Sequence, residues 1–138
     1  MSTRCQIGFF ETMPSDEKMI RELNHAEDIK PTAVALIYRH SDGYPDNVLP
    51  DLDCYLAKCQ RNDDPCYAAA WFVHFLIDRA MRNARNWAKL GNRKANAHNY
   101  LGHGIDNEYH GDIQYFYAVA GGKVKAFALC NGWNRFNP

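Results

Sequence analysis

The chain has 138 residues, 46% of them apolar and 13% aromatic, and sets 16 Lys and Arg against 16 Asp and Glu. That size and composition suit one domain with a core of its own and exclude a disordered polymer, a collagen-like repeat and a cationic tail protein. Zero formal charge also excludes holding nucleic acid by overall charge alone.

Residues 3–11 place Cys5, Ile7 and Phe9 on one face at period two and predict a strand, with Phe10 turned to the other side. In residues 14–31, Ser15 is a good N-cap and Asp16 and Glu17 suit the positive end of a helix dipole. A short surface helix is expected there, buried through Met19, Ile20, Leu23 and Ala26 and stopped by Pro31. Residues 32–40 are apolar on both faces until Arg39, the pattern of a central strand. Ser41-Asp42-Gly43-Tyr44-Pro45 reads as a turn, with Asp42 bonding backbone ahead of it and Gly43 tolerating positive φ.

A helix is expected from Leu49, with Pro50 in its first turn and Leu52, Tyr55, Leu56 and Cys59 buried. Asp64 as N-cap and Pro65 at the first helical position open a long helix to about Lys89. Its apolar stripe is Ala69, Phe72, Leu76, Ala80, Ala84 and Trp87. Residues 91–110 are expected to form a long surface loop. Residues 112–120 and 123–129 flank Gly121-Gly122, a strong two-residue hairpin signal. Ile113, Tyr115, Tyr117 and Val119 line one face of the first strand, and Val124, Ala126 and Ala128 one face of the second. The tail 131–138 reads as coil that packs Trp133 and Phe136 on the domain. The sum is a single α+β domain over residues 1–138, a mainly antiparallel sheet of about four strands with about three helices.

No apolar run reaches the ~20 residues that span a bilayer, and the N-terminus lacks the apolar core of a secretion signal. With five cysteines, an odd number, reduced thiols in a cytoplasmic protein are expected. Cys54, Cys59 and Cys66 are spaced Cys-x4-Cys-x6-Cys, without the Cys-x2-Cys knuckle that opens a structural zinc site. Burial as small hydrophobes is the expectation, with Cys5 and Cys130 in strand-like stretches.

His40-Ser41-Asp42 closes the second predicted strand and His110-Gly111-Asp112 opens the third. If those strands are antiparallel neighbours, both triplets meet at one sheet edge. His40, Asp42, His110 and Asp112 would then be candidate ligands for a divalent metal, or His40 and Asp42 acid–base groups with Arg39 steadying an anion. Tyr44, His103, Glu108 and Tyr109 are near enough in sequence to join. The plainer reading makes Asp42 and Asp112 turn and strand-end residues.

Between positions 79 and 105 there is no acidic residue, whereas acidic residues crowd positions 11–64. Arg79, Arg82, Arg85, Lys89 and Arg93 could contact phosphates from one helix face, and Tyr115, Phe116 and Tyr117 could stack bases. The bland alternative is that the two oppositely charged segments pair with each other.

Thr3-Arg4-Cys5, Tyr38-Arg39-His40-Ser41-Asp42-Gly43-Tyr44-Pro45 and Asp112-Ile113-Gln114-Tyr115-Phe116-Tyr117 together resemble a family of small, functionally uncharacterised proteins from prokaryotes and their viruses. Against that pattern, residues 12–30 look like a helical insertion. The resemblance implies one compact domain and carries no activity, and it marks residues 39–45 as a unit that either displays Arg39 and His40 or fixes the fold. The expectation is a small cytoplasmic binding or accessory protein. A metal-assisted or acid–base hydrolase of phosphodiesters and a nucleic-acid binder are the alternatives, with nucleic acid or protein as partner and no membrane.

Overall fold

A computed structural model describes residues 3–89, 91 and 102–137. Strands β1 (Cys5–Phe9), β2 (Ala35–Arg39), β3 (His103–Asp106), β4 (Tyr115–Ala120), β5 (Lys123–Leu129) and β6 (Trp133–Phe136) form one sheet in the order β3-β2-β1-β4-β5-β6. Helices α1 (Asp16–Asn24), α2 (Pro45–Lys58) and α3 (Pro65–Lys89) complete an α+β fold. β1 and β4 run parallel, and the other neighbours are antiparallel.

The sheet has six strands rather than about four. β3 arises inside the expected loop 91–110, and β6 inside the expected coiled tail. Both are edge strands, which need no buried alternation: Ile105 of β3 is 77% exposed. Their inward-facing backbone groups pair with β2 and β5, so pairing, not side-chain pattern, makes them strands.

Helices cover both faces of the sheet. Ile7, Phe9, Ile37, Tyr117 and Val119 pack under Val48 and Leu52 of α2 and Phe72 and Leu76 of α3. On the opposite face Phe10, Leu36, Phe116 and Phe127 pack with Met19 and Leu23 of α1 and with Trp133. Every residue of β1 is consequently buried, Gln6 included. Ile113 joins the α1 side rather than the Tyr117 face, because it precedes β4 and the alternation does not reach it.

Ser15 caps α1 by accepting from the Lys18 amide at 3.2 Å. At the same end, the Asp16 carboxylate accepts from Lys125 Nζ at 2.8 Å and Arg135 Nη1 at 3.0 Å, tying α1 to β5 and β6. The Lys125 hydrogen bond holds that carboxyl below its usual pKa, with the Arg135 charge acting the same way. Asp64 Oδ1 caps α3 through the Cys66 amide at 2.9 Å. Ala69, Phe72, Leu76, Ala80 and Ala84 are buried as expected, while the Trp87 side chain and Arg93 lie outside the described residues. Gly121 and Gly122, at φ 56° and 77°, join β4 to β5 in the expected two-residue turn.

The turn after β2 departs from expectation twice. Asp42, not Gly43, takes the left-handed conformation, at φ 55°. The turn also ends sooner, so α2 begins at Pro45, with Tyr44 as cap and Pro50 inside the helix. Gly43 is needed for proximity: a Cβ there would lie 2.9 Å from Cys5 Cβ and 3.0 Å from the Thr3 carbonyl oxygen. Its carbonyl accepts the buried Tyr117 hydroxyl at 2.7 Å, and its amide donates to Thr3 O at 2.9 Å.

The connection from β3 to β4 crosses the α1-side face over β2 and β1. Gln6, on that face, donates to the Glu108 carbonyl at 2.9 Å and accepts from the His110 amide at 3.2 Å. This fixes the crossover, because a buried amide side chain satisfies both backbone groups at once.

Gly43→Ala should destabilise the fold by roughly 1–3 kcal/mol, because the methyl group must displace backbone rather than a side-chain tip. Thermal unfolding should show a midpoint lowered by about 5–10 °C. An unchanged midpoint would mean that the turn is not held against β1.

Candidate functional site

β2 and β4 are not neighbours, because β1 lies between them. Their ends nevertheless share an edge, since Arg39 and Tyr115 both stand in register with Cys5. The His110 ring stacks on Tyr38 with centroids 4.2 Å apart, its Nε2 pairs with Asp106, and its Nδ1 is 3.7 Å from Asp112 Oδ1. Asp112 Oδ2 takes the Tyr38 hydroxyl at 3.2 Å and Arg4 Nη1 at 3.1 Å. His40 lies beside Tyr38 with centroids 6.4 Å apart, and Asp42 is exposed in its turn.

Among the described residues, no group of three or more His, Cys, Asp or Glu side chains is placed to hold a metal ion. His40, Asp42, His110 and Asp112 are thus not assembled into the expected ligand set. The physical reason is local: His110 and Asp112 are drawn onto Tyr38, Asp106 and Arg4, while Asp42 stays exposed in its turn. Asp112 is instead engaged by Arg4 and Tyr38.

Arg39 was expected to steady an external anion, but it binds the protein's own carboxylate. Its side chain is 13% exposed, with Nη1 3.1 Å from Asp51 Oδ2 and Nε donating to the Ser41 carbonyl at 2.9 Å. The same Asp51 oxygen takes Arg79 Nη1 at 2.6 Å. One carboxylate on α2 therefore joins the end of β2 to the middle of α3, and residues 39–45 act locally as a fold determinant.

This network also removes Arg79 from the expected phosphate-binding face. Arg82 pairs with Asp78 at 3.1 Å, while Arg85 and Lys89 are exposed. Phe116 and Tyr117 are fully buried, so they are not a base-stacking platform. Of the other neighbours considered for a site, His103 sits in β3 opposite Arg39, Tyr44 holds the N-cap position of α2 without a side-chain capping bond, and Glu108 lies in the crossover.

Tyr109 leads to a residue the sequence did not signal. Its hydroxyl donates to Glu22 Oε1 at 2.6 Å, and Glu22, 3% exposed, also accepts from the Thr32 amide at 2.7 Å and the Thr32 hydroxyl at 3.1 Å. Burial, with the Glu22 hydrogen bond second, pushes the Tyr109 pKa well above the ordinary tyrosine range. In the sequence Glu22 is only a polar residue in an amphipathic helix, so its burial carries no local signature.

The larger omission is the outer side of α3. Opposite its buried stripe, Tyr67, Trp71, Ile77 and Met81 stand 51%, 53%, 40% and 48% exposed. Beside them a groove of about 520 Å³ opens against the end of α2, lined by Tyr55, Cys59, Tyr67, Trp71, Phe75 and Arg82 among others. The Arg61 guanidinium lies 4.3 Å from the Tyr67 ring centroid, and Trp71 meets His74 edge-on at 5.5 Å. This second stripe was readable at helical spacing, but only once the first was known to face the sheet.

The thiols divide by burial. Cys5 is completely buried, and burial pushes its pKa up to about 12, against the opposing charge of Arg39. Cys130, expected to be buried, is exposed together with Cys54 and Cys66, because it sits just past β5 at the turn into β6.

Iodoacetamide at pH 8 should label Cys54, Cys66 and Cys130 in the folded protein and leave Cys5 unmodified, as read by peptide mass spectrometry. Rapid labelling of Cys5 would contradict the packing at Gly43. Asp51→Ala should cost about 2 kcal/mol or more, because it strands two partly buried guanidinium groups. Chemical denaturation measures that loss, and a neutral result would return Arg39 to the list of residues free for a ligand.

Compared with protein families, curated proteins and solved structures, the chain matches none, and its resemblance to the uncharacterised small-protein family rests on the quoted segments alone.

Proposed function

We propose that the protein is a binding protein whose working surface is the outer side of α3, and that its partner is a polypeptide. The observation that carries this reading is the exposed stripe Tyr67, Trp71, Ile77 and Met81 on a helix whose other stripe already fills the core. These side chains are already about half buried, so covering the rest of each is worth roughly half of the ~1.5–3 kcal/mol for full burial, and a partner that covers the stripe gains binding energy there. Trp, Tyr and Arg are the residue types that dominate binding hot spots, and Arg61 lies on Tyr67 beside Trp71.

The chemistry of the stripe separates the partner classes. Ile77 and Met81 offer no stacking surface to a base, and the charges flanking the stripe are of both signs, Asp63, Asp64 and Asp78 with Arg61 and Arg82, rather than a basic phosphate-binding face. The hydrolase reading has less support, because Arg39 and Asp112 are spent on intramolecular partners. Free thiols at all five cysteines suit a reducing compartment.

An apolar aromatic dye such as anilinonaphthalene sulfonate tests the surface directly. The native protein should bind it saturably, and Trp71→Ala should weaken binding at least tenfold with the circular dichroism and melting temperature unchanged. Equal dye affinity in that variant would remove the surface. Phosphodiesterase activity that disappears in His110→Ala would replace this reading with the enzyme one.

A further inference from the structure

We infer that the polypeptide received by the outer side of α3 is a second copy of this chain, docked antiparallel across a two-fold axis at His74. The inference rests on the binding surface proposed above and names its occupant.

The exposed side chains are arranged symmetrically along the helix about His74. Tyr67 and Met81 stand seven positions to either side of it, and Trp71 and Ile77 three positions to either side. Seven residues are close to two helical turns and three are close to one, so all four project from the same side as His74. Turning a second α3 end for end about His74 sets Tyr67 of one copy opposite Met81 of the other, and Trp71 opposite Ile77. Each pair occurs twice, and the contact closes on itself without exposing a further sticky surface.

Charge fixes the direction. Asp63 and Asp64 stand in the turn and cap just ahead of the helix, with Arg61 beside them, and its end carries Arg82, Arg85 and Lys89. Arg85 lies eleven positions past His74, and in the antiparallel register it comes to the end of the other copy's helix that the Asp63 turn precedes. Asp63 is 83% exposed and only loosely paired, 3.9 Å from Arg61, which leaves its carboxylate open to a better partner. A parallel arrangement would set carboxylate against carboxylate and guanidinium against guanidinium. Asp78 and Arg82 neutralise each other within one copy at 3.1 Å and do not oppose either arrangement.

The stripe from Tyr67 to Met81 is about 21 Å long at ~1.5 Å per residue. Helix against helix over that length falls short of the ~800 Å² per partner of a tight complex, so the pair belongs to the weak, concentration-dependent class.

Sedimentation equilibrium of the full chain, up to about 500 µM, should show a monomer–dimer equilibrium with a dissociation constant on the order of 10–100 µM. Met81→Glu should abolish the dimer without lowering the melting temperature. Arg85→Glu should weaken it at least fivefold, and Asp63→Arg together with Arg85→Glu should restore it, a rescue that only the antiparallel register allows. A chain that is monomeric throughout, or a dimer indifferent to Met81→Glu, overturns the inference. So does salt-sensitive retention of a single-stranded oligonucleotide that is lost with Arg85→Glu. If the chain is monomeric while the dye still binds in a Trp71-dependent way, the second copy is excluded and the binding surface stands.

Discussion

Everything in this fold is arranged around a strand that is buried on both sides. β1 has no exposed residue, so each of its five positions must be matched from one of two layers. The alternation Cys5, Ile7 and Phe9 against Gln6, Gly8 and Phe10 assigns α2 and α3 to one layer and α1 with the crossover to the other. Gln6 is the polar exception, and it is tolerated because it bonds the crossover backbone at Glu108 and His110. Without those partners a buried amide would cost about 1–3 kcal/mol.

The same strand dictates the turn that follows β2. Gly43 must press against Cys5 and Thr3, so the chain leaves β2 sharply and starts α2 at Pro45. That places Asp51 where Arg39 and Arg79 both reach it. Net neutrality takes on a structural meaning here, because a cation from the wholly basic segment 79–105 meets a carboxylate from the acidic segment 11–64. The pairing is local, however. Arg85 and Lys89 remain exposed at the far end of α3, and the opposite charges of Asp63 and Asp64 stand at its start.

Helix α3 carries two apolar stripes, and the sheet covers only one of them. In α3 the buried stripe mixes large and small residues, Phe72 and Leu76 with Ala69, Ala80 and Ala84, while Tyr67, Trp71, Ile77 and Met81 are left outside. The proposed partner would cover those four side chains.

The sequence by itself determined the elements whose signals are local. Ser15 and Asp64 as caps, Pro65 at the start of α3, the Gly121-Gly122 turn and the period-two face of β1 each depend on a few adjacent residues. Only the tertiary structure decided what depends on partners distant in the chain. β3 and β6 exist because β2 and β5 offered unpaired edges, and Glu22 is buried because Thr32 and Tyr109 arrive to bond it. The two His-x-Asp triplets come to one edge, but His110 and Asp112 are taken up there by Tyr38, Asp106 and Arg4, which are distant in the chain or set by the crossover. Arg39 reads in sequence as a free cation, but the geometry of Gly43 hands it Asp51. Caps and turns are settled within a few residues, whereas strand order and charge pairing are settled by which surfaces the core brings together.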